Sequence, residues 1–367
     1  MKVTFPQMGS LNIPLESFLQ RLDIETITPP PLTKRTINLG VKYSPESACL
    51  PFKLVLGNFI EALELGAEAI IMAGGNGPCR FGHFGELAND ILADLGYNFE
   101  FYILEPPVKS IVDIFIELSP SFNWIKAIKS LRFAWQKLIL IEKMKKYRLK
   151  YGTFLPQNKI NKIEDKYLML IADANSSARL KNIDKSYKDE INKCKNDQLV
   201  DNHQTANLKI GLVGDIYTVS EPFANLDASK RLNELGVAVD RAVFVSKWVK
   251  DNLIYGALNI PSNSKVLKAA NRYLQEGVGG LGLETVGETV LYGEKGYDGV
   301  IQLAPLGCMP EIVAKSLLTK VERDLQIPVL TLTLDEHSSA TGVQTRLEAF
   351  VDLLKQKKNS NNKAFLN

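Results

Sequence analysis

The stretch Ala67–Leu95 reads AEAIIMAGGNGPCRFGHFGELANDILADL. Its opening, Ala67 to Ala73, is apolar enough for a buried strand of a parallel sheet. From Phe84 to Leu95 the residues Leu87, Ile91, Leu92 and Leu95 share one face of a predicted helix. Between them, the glycine-rich turn Gly74–Gly82 carries Cys79 from the end of a strand to the start of a helix. Ligands of open α/β sheets bind at such strand ends, and a helix start with its free N–H groups favours a thiolate. Taken alone, the motif has a second reading, a tight turn around a small buried thiol.

The same arrangement recurs twice. Ser44-Pro45-Glu46-Ser47-Ala48-Cys49-Leu50-Pro51 precedes a predicted helix, Phe52 to Leu65, with Phe52, Leu56, Phe59, Ile60 and Leu63 at helical spacing. Ser47 or Glu46 is available near its cap. A predicted strand, Asp298 to Leu303, leads through Ala304-Pro305-Leu306-Gly307-Cys308-Met309-Pro310-Glu311 into a helix from Ile312 to Leu325. The fourth cysteine, Cys194, sits among Lys and Asn and reads as a surface thiol.

Working outward, Lys2–Phe5, Thr36–Tyr43, Phe99–Leu104, a segment from Lys209, and Ile327–Leu334 are predicted strands. Helices are predicted at Gly9–Leu22, Ile111–Lys150, Ala228–Leu235, Ser246–Tyr255, Glu284–Tyr292 and Thr345–Lys355. This alternation predicts an α/β protein with two doubly wound, Rossmann-like parallel-sheet domains and a helical, charged connecting region. The expected divisions are 1–125 with Cys49 and Cys79, 126–207 as the connection, 208–357 with Cys308, and a disordered tail at 358–367. Gly277-Val278-Gly279-Gly280-Leu281-Gly282 has the form of a dinucleotide fingerprint. The polar, helix-like Lys265–Glu276 before it, in place of a strand, favours a plain glycine loop.

Composition narrows the function classes. The chain has 367 residues, 45% hydrophobic and 23% charged, with a net charge of +3. That balance suits a soluble globular protein and gives no concentrated basic face for nucleic acid. No run approaches the roughly 20 apolar residues of a membrane span. The opening MKVTFPQMGS lacks the apolar core of a signal peptide, so a cytoplasmic protein with no membrane partner is expected. Four cysteines in so long a chain do not make a disulfide scaffold.

Three cysteines in one local context, each opening a helix, form a candidate soft-donor site for iron–sulfur, zinc or copper(I). Their wide separation is unlike the compact pairs of zinc ribbons and ferredoxins. Three thiolates on a four-iron cubane leave one iron open to water, hydroxyl or substrate. Zinc would need a fourth ligand, for which His83 and His337 are candidates, although each also reads as an ordinary polar residue.

SPESACLPFK, GGNGPCRFGHFGE and APLGCMPEIVA resemble the three cluster-binding motifs of the 2-hydroxyacyl-CoA dehydratase family, which includes 2-hydroxyglutaryl-CoA dehydratase and benzoyl-CoA reductase subunits. DEHSSATGVQTRLEAFVDLL adds to the likeness, and the nearest branch is that of the CoA-enzyme activase-associated proteins. The resemblance spans roughly residues 1–125 and 208–355. It implies two α/β domains and a [4Fe-4S] cluster held by Cys49, Cys79 and Cys308. It also implies an ATP-dependent activase of the ASKHA type as donor of one low-potential electron, and a related subunit or a second copy as partner. An enzyme of this kind is a lyase eliminating water from an (R)-2-hydroxyacyl-CoA, or an ATP-dependent reductase component. No stretch here reads as an acyl-CoA site. The alternatives are therefore a non-catalytic metal-binding partner of an activase, or a double-cubane reductase component. The latter needs more thiolates than one chain supplies. Arg80 and His83 beside one ligand are candidates for tuning the cluster potential. Glu311 is a candidate helix cap or proton relay. Asp335, Glu336 and His337 either shape the pocket or solvate a loop.

Overall fold

In the computed structural model, which describes residues 1–75, 77–199, 208–251 and 265–364, the chain forms two four-stranded, all-parallel sheets flanked by helices. The first contains β1 (Lys2–Thr4), β2 (Glu25–Thr26), β3 (Ala69–Ala73) and β4 (Glu100–Leu104), in the order β2-β1-β3-β4. The second contains β5 (Leu208–Gly214), β6 (Val237–Arg241), β7 (Gly299–Pro305) and β8 (Val329–Leu334), in the order β6-β5-β7-β8. Both therefore have the same strand order. In each, the connections from the two inner strands leave in opposite directions, opening a crevice at the carboxyl ends of β1 and β3, and of β5 and β7.

The chain divides into two units, Met1–Ile141 with Leu170–Lys181, and Glu142–Met169 with Asn182–Asn367. The charged region expected to form a separate connection is shared between them. Its helices are α6 (Trp124–Tyr151), α7 (Gln157–Ala172) and α8 (Ser177–Leu199), and the division falls within all three.

In the first unit, α1 (Asn12–Gln20), α2 (Lys34–Tyr43), α3 (Leu50–Glu64), α4 (Phe84–Asp94) and α5 (Val108–Leu118) alternate with the strands. Val3, Phe5, Leu19, Leu22, Ile24, Ala69, Ile71 and Leu118 pack as one apolar core. The segment expected as a strand at Thr36–Tyr43 is α2. Its β-branched residues suggest a strand, but a capping box at its start selects a helix. The Thr33 hydroxyl accepts from the N–H groups of Arg35 and Thr36 at 3.2 and 3.4 Å, and Thr36 Oγ1 accepts from the Thr33 N–H at 2.9 Å. Thr33→Ala is expected to cost about 1 kcal/mol of stability, read from denaturant unfolding; an unchanged midpoint would show that packing alone holds α2.

Helices α2 and α3 meet backbone to backbone. A Cβ built on Gly57 would lie 1.9 Å from the Thr36 carbonyl oxygen, so only glycine permits this approach. The contact is reinforced by Glu61, whose carboxylate accepts from Thr36 Oγ1 at 2.6 Å and pairs with Arg35.

In the second unit the helices are α9 (Ile216–Ser220), α10 (Pro222–Asn225), α11 (Ala228–Glu234), α12 (Val245–Val249), α13 (Lys265–Ala270), α14 (Gly282–Glu294), α15 (Met309–Leu325) and α16 (Ala340–Ala364). Ala269, Ala270, Val286, Val290, Ala314, Leu318 and Val321 form its helical core layer. Residues 252–255 of the helix expected at Ser246–Tyr255 lie outside the described residues. Helix α16 continues through Ala364, past the 358 boundary where a tail was expected, and 365–367 lie outside the described residues. Strands β2 and β6 are short and were not anticipated from the sequence.

Cys194 is not a surface thiol: it is only 5% exposed. Ile183, Tyr187, Ile191 and Cys194 are all buried along one stripe of α8. Asn192 and Lys193 beside it are exposed, and such polar neighbours hide this sparse periodicity.

Among the described residues, no helix is long and apolar enough to cross a membrane.

Candidate metal centre

Each of the three motif cysteines occupies the residue immediately before a helix, in an extended backbone conformation. Cys49 precedes α3 with φ −71° and ψ 155°. Cys79 precedes the 3-10 turn Arg80–His83, which runs on into α4, with φ −74° and ψ 129°. Cys308 precedes α15 with φ −77° and ψ 103°. Pro51 and Pro310 stand in the first turns of α3 and α15, where a missing N–H costs nothing. The cysteine carbonyls start the helices, accepting from Phe52 at 3.0 Å, from Gly82 at 3.2 Å and from Ile312 at 3.0 Å. This position lends each sulfur the positive end of a helix dipole. Cys49 is buried, whereas Cys79 and Cys308 are half-exposed.

In the first unit the structure brings two of these loops together. Arg80 Nη1 donates to the Ser47 carbonyl at 2.9 Å, tying the loop of Cys79 to the loop of Cys49. Phe52 and Phe84 meet edge to face with ring centroids 5.0 Å apart, joining α3 to α4 just behind the cysteines. A Cβ on Gly82 would lie 2.0 Å from the Gly75 carbonyl oxygen, so the turn is folded tightly onto itself around Cys79. Because α3 runs back against the direction of the strands, its start lies at the carboxyl end of the sheet, the same end as the loop after β3. Arg80 thus has a definite role in positioning the loop. His83 is exposed and faces Glu86, Nδ1 to Oε2 at 3.2 Å.

In the second unit Cys308 follows β7, the counterpart of β3 in the shared strand order. The glycine stretch Gly277–Gly282 follows α13, not a strand, and opens α14. It therefore lacks the context of a dinucleotide fingerprint. Its last glycine has another use: a Cβ on Gly282 would lie 2.8 Å from the Pro310 carbonyl oxygen, so this loop rests on the first turn of the helix that Cys308 opens.

Behind that turn lies a buried polar cluster. Glu311 is 1% exposed. It is not a helix cap, because its carboxylate turns inward and accepts from Thr285 Oγ1 at 3.0 Å and Gln302 Nε2 at 2.8 Å. Gln302 Nε2 also donates to the Glu311 carbonyl at 3.0 Å, and Thr331 Oγ1 donates to Gln302 Oε1 at 2.8 Å. Burial, joined by the negative charges of Asp215 and Glu284, pushes the Glu311 carboxyl up to about 8, against the opposing hydrogen bonds. Burial also raises Asp215 and Glu284. Asp215, at the carboxyl end of β5, accepts from the Thr218 N–H and hydroxyl at 2.9 and 3.0 Å. Glu311 therefore holds a proton at neutral pH and can give or take one in a site shielded from water. Gln302 and Thr285 were not anticipated as part of this cluster. The available signal was a lone amide within the apolar strand GVIQLAP.

Asp335 shapes its loop: its Oδ1 accepts from the His337 N–H at 3.0 Å and from Ser338 Oγ at 2.8 Å. The Leu306 N–H donates to the Leu334 carbonyl at 2.7 Å, so this loop starts beside that of Cys308. His337 is exposed.

Among the described residues, no three His, Cys, Asp or Glu side chains are gathered into a ready-made metal site. Searches against protein-family models and against curated proteins give no match to this chain.

Proposed function

We propose that the chain is an iron–sulfur redox protein of the 2-hydroxyacyl-CoA dehydratase type, with Cys49, Cys79 and Cys308 as ligands of a [4Fe-4S] cluster. The observation that carries this reading is the common placement of the three thiols: each stands at a helix start in extended backbone. The donor set fits the group. Thiolates are the usual ligands of such clusters, and helix N-termini offset the negative charge of the assembly. Bound there, a cluster of this kind supplies one-electron transfer, with an ATP-dependent activase as the electron source.

The chain's own contribution is to position and to handle protons. Arg80 fixes two thiol-bearing loops against each other. Glu311, three residues past Cys308, offers a protonated carboxyl at neutral pH.

The test is metal and sulfide analysis with EPR on anaerobically reconstituted protein. About four iron and four sulfide per chain are expected, and Cys79→Ser is expected to lose or alter the signal while Cys194→Ala keeps it. Colourless protein after reconstitution, or an unaltered signal in Cys79→Ser, would refute the assignment. A cluster that an activase and ATP fail to reduce would instead favour the non-catalytic metal-binding partner.

A further inference from the structure

Along the outer edge of the second sheet lies a cavity of about 350 Å³, bounded by the end of α6, the edge strand β6, Lys209 and Tyr297. Four cationic side chains line it: Lys146, Lys150, Lys209 and Arg241. The single carboxylate in the lining, Asp240, already accepts from the Tyr297 hydroxyl at 2.7 Å. Among the described residues, none of the four cations has a carboxylate within ion-pair distance.

The pairing on α6 is selective. Lys143 pairs with Asp184 at 2.7 Å and Arg148 with Glu164 at 2.6 Å. The lysines that line the cavity, Lys146 and Lys150, do not. They sit one turn apart, a spacing at which like charges repel. The helix dipole favours a cation at the end of α6, which accounts for Lys150 but not for Lys146, Lys209 or Arg241.

The cations are also held in place. The ring of Phe244 carries two of them, the Lys146 ammonium at 4.3 Å from its centroid and the Arg241 guanidinium at 4.2 Å. Arg241 Nη1 further donates to the Val219 carbonyl at 3.4 Å. Desolvation weighs on Arg241 and lowers it to about 10. Neighbouring Lys145 is lowered to about 8, by burial and then by the charge of Arg241 itself. Glu142 and Glu164 act on Arg241, and with Glu221 on Lys145, from outside the lining; the lining itself sets four cations against the one carboxylate of Asp240.

We propose that this cavity binds a small oligophosphate, either a free pyrophosphate-like anion or the diphosphate of a nucleotide. The volume lies within the range of small-molecule sites and is too small for a macromolecule. Lys146 and Arg241 over the Phe244 ring, with Lys150 and Lys209 beside them in the lining, match an anion with charge on successive phosphoryl groups.

The experiment is isothermal titration calorimetry on the full chain with pyrophosphate, ADP and adenosine, in about 150 mM NaCl to screen loose surface attraction. Pyrophosphate is expected to bind saturably at one site. Lys150→Gln with Lys209→Gln is expected to weaken it about tenfold or more. The control pair Lys129→Gln with Arg132→Gln, on exposed positions of α6 outside the cavity, is expected to leave it unchanged. The single variants Lys150→Gln and Lys209→Gln serve if the double variant does not fold. ADP binding more tightly than pyrophosphate, with adenosine silent, identifies the source as a nucleotide; ADP binding no tighter identifies a free oligophosphate. Absence of saturable binding by both anions, or equal losses in the cavity and control pairs, would overturn the proposal.

Discussion

Gly57→Ala is expected to lower the thermal midpoint of the first unit by about 10 °C, from a loss of about 3 kcal/mol. The added methyl has nowhere to go. Its carbon would lie 1.9 Å from the Thr36 carbonyl oxygen, a backbone atom that cannot rotate away. Relief requires α2 and α3 to part by more than an ångström, which also strains the Thr36–Glu61 hydrogen bond and the Arg35–Glu61 pair. The effect reaches Cys49, because Cys49 opens α3. Under the proposed ligand assignment, cluster loading is expected to fall together with stability. Leu65→Ala, at the exposed C-terminal end of α3, is the comparison and is expected to change stability by no more than about 0.5 kcal/mol. Calorimetry on the full chain separates the two. A Gly57→Ala protein that melts within about 3 °C of the parent would mean that the helix pair has room to spare.

The second large effect belongs to Glu311. In the unfolded chain its carboxyl ionises near 4.5, and in the folded chain near 8. Between those values the folded protein keeps a proton that the unfolded chain has released. Stability from this group is thus fully present below about pH 4.5. It is lost as pH rises toward 8, and does not fall further above that. The slope is at most about 1.4 kcal/mol per pH unit, amounting to a few kcal/mol across the window. Glu311→Gln keeps the shape and an oxygen to accept from Thr285 and Gln302, but has no proton to lose. Relative to the parent it is expected to gain stability steadily from pH 5 to pH 8 and to hold that gain at pH 9. Denaturant unfolding of both proteins across this range reads Glu311 together with its coupling to Asp215 and Glu284, since the more distant titrations are common to the two. Parallel stability curves would show that Glu311 ionises like an exposed carboxyl.

The legible parts of the sequence were those in which one local pattern sufficed. Apolar runs such as AIIMA and GVIQLAP became β3 and β7, and the turns after them placed Cys79 and Cys308 before helices. Both parallel sheets followed from that alternation. Where propensity opposed a cap, it misled: Thr36, Ile37 and Val41 suggest a strand, yet the two threonine hydroxyls of the capping box begin a helix. Where the apolar stripe was thin, composition misled, as on α8, whose buried face includes Cys194. The proton-holding cluster was hidden for a different reason. Thr285, Gln302, Glu311 and Thr331 come from two helices and two strands, and no local pattern links them. The pairing of Ser47 with Arg80 was equally invisible, being a side chain bonded to a distant carbonyl.

The matching strand order of the two sheets explains an odd number. Loops leaving β3 and β7 each bring a thiol, Cys79 and Cys308. A helix preceding the third strand then has a counterpart as well: α3 before β3 corresponds to α14 before β7. At the head of α3 stands Cys49; at the head of α14 stands Leu281, behind a run of glycines. Cys49 thus has no sulfur counterpart in the second unit, where a buried leucine side chain holds the matching position, and Leu281→Cys is the single substitution that would restore the symmetry.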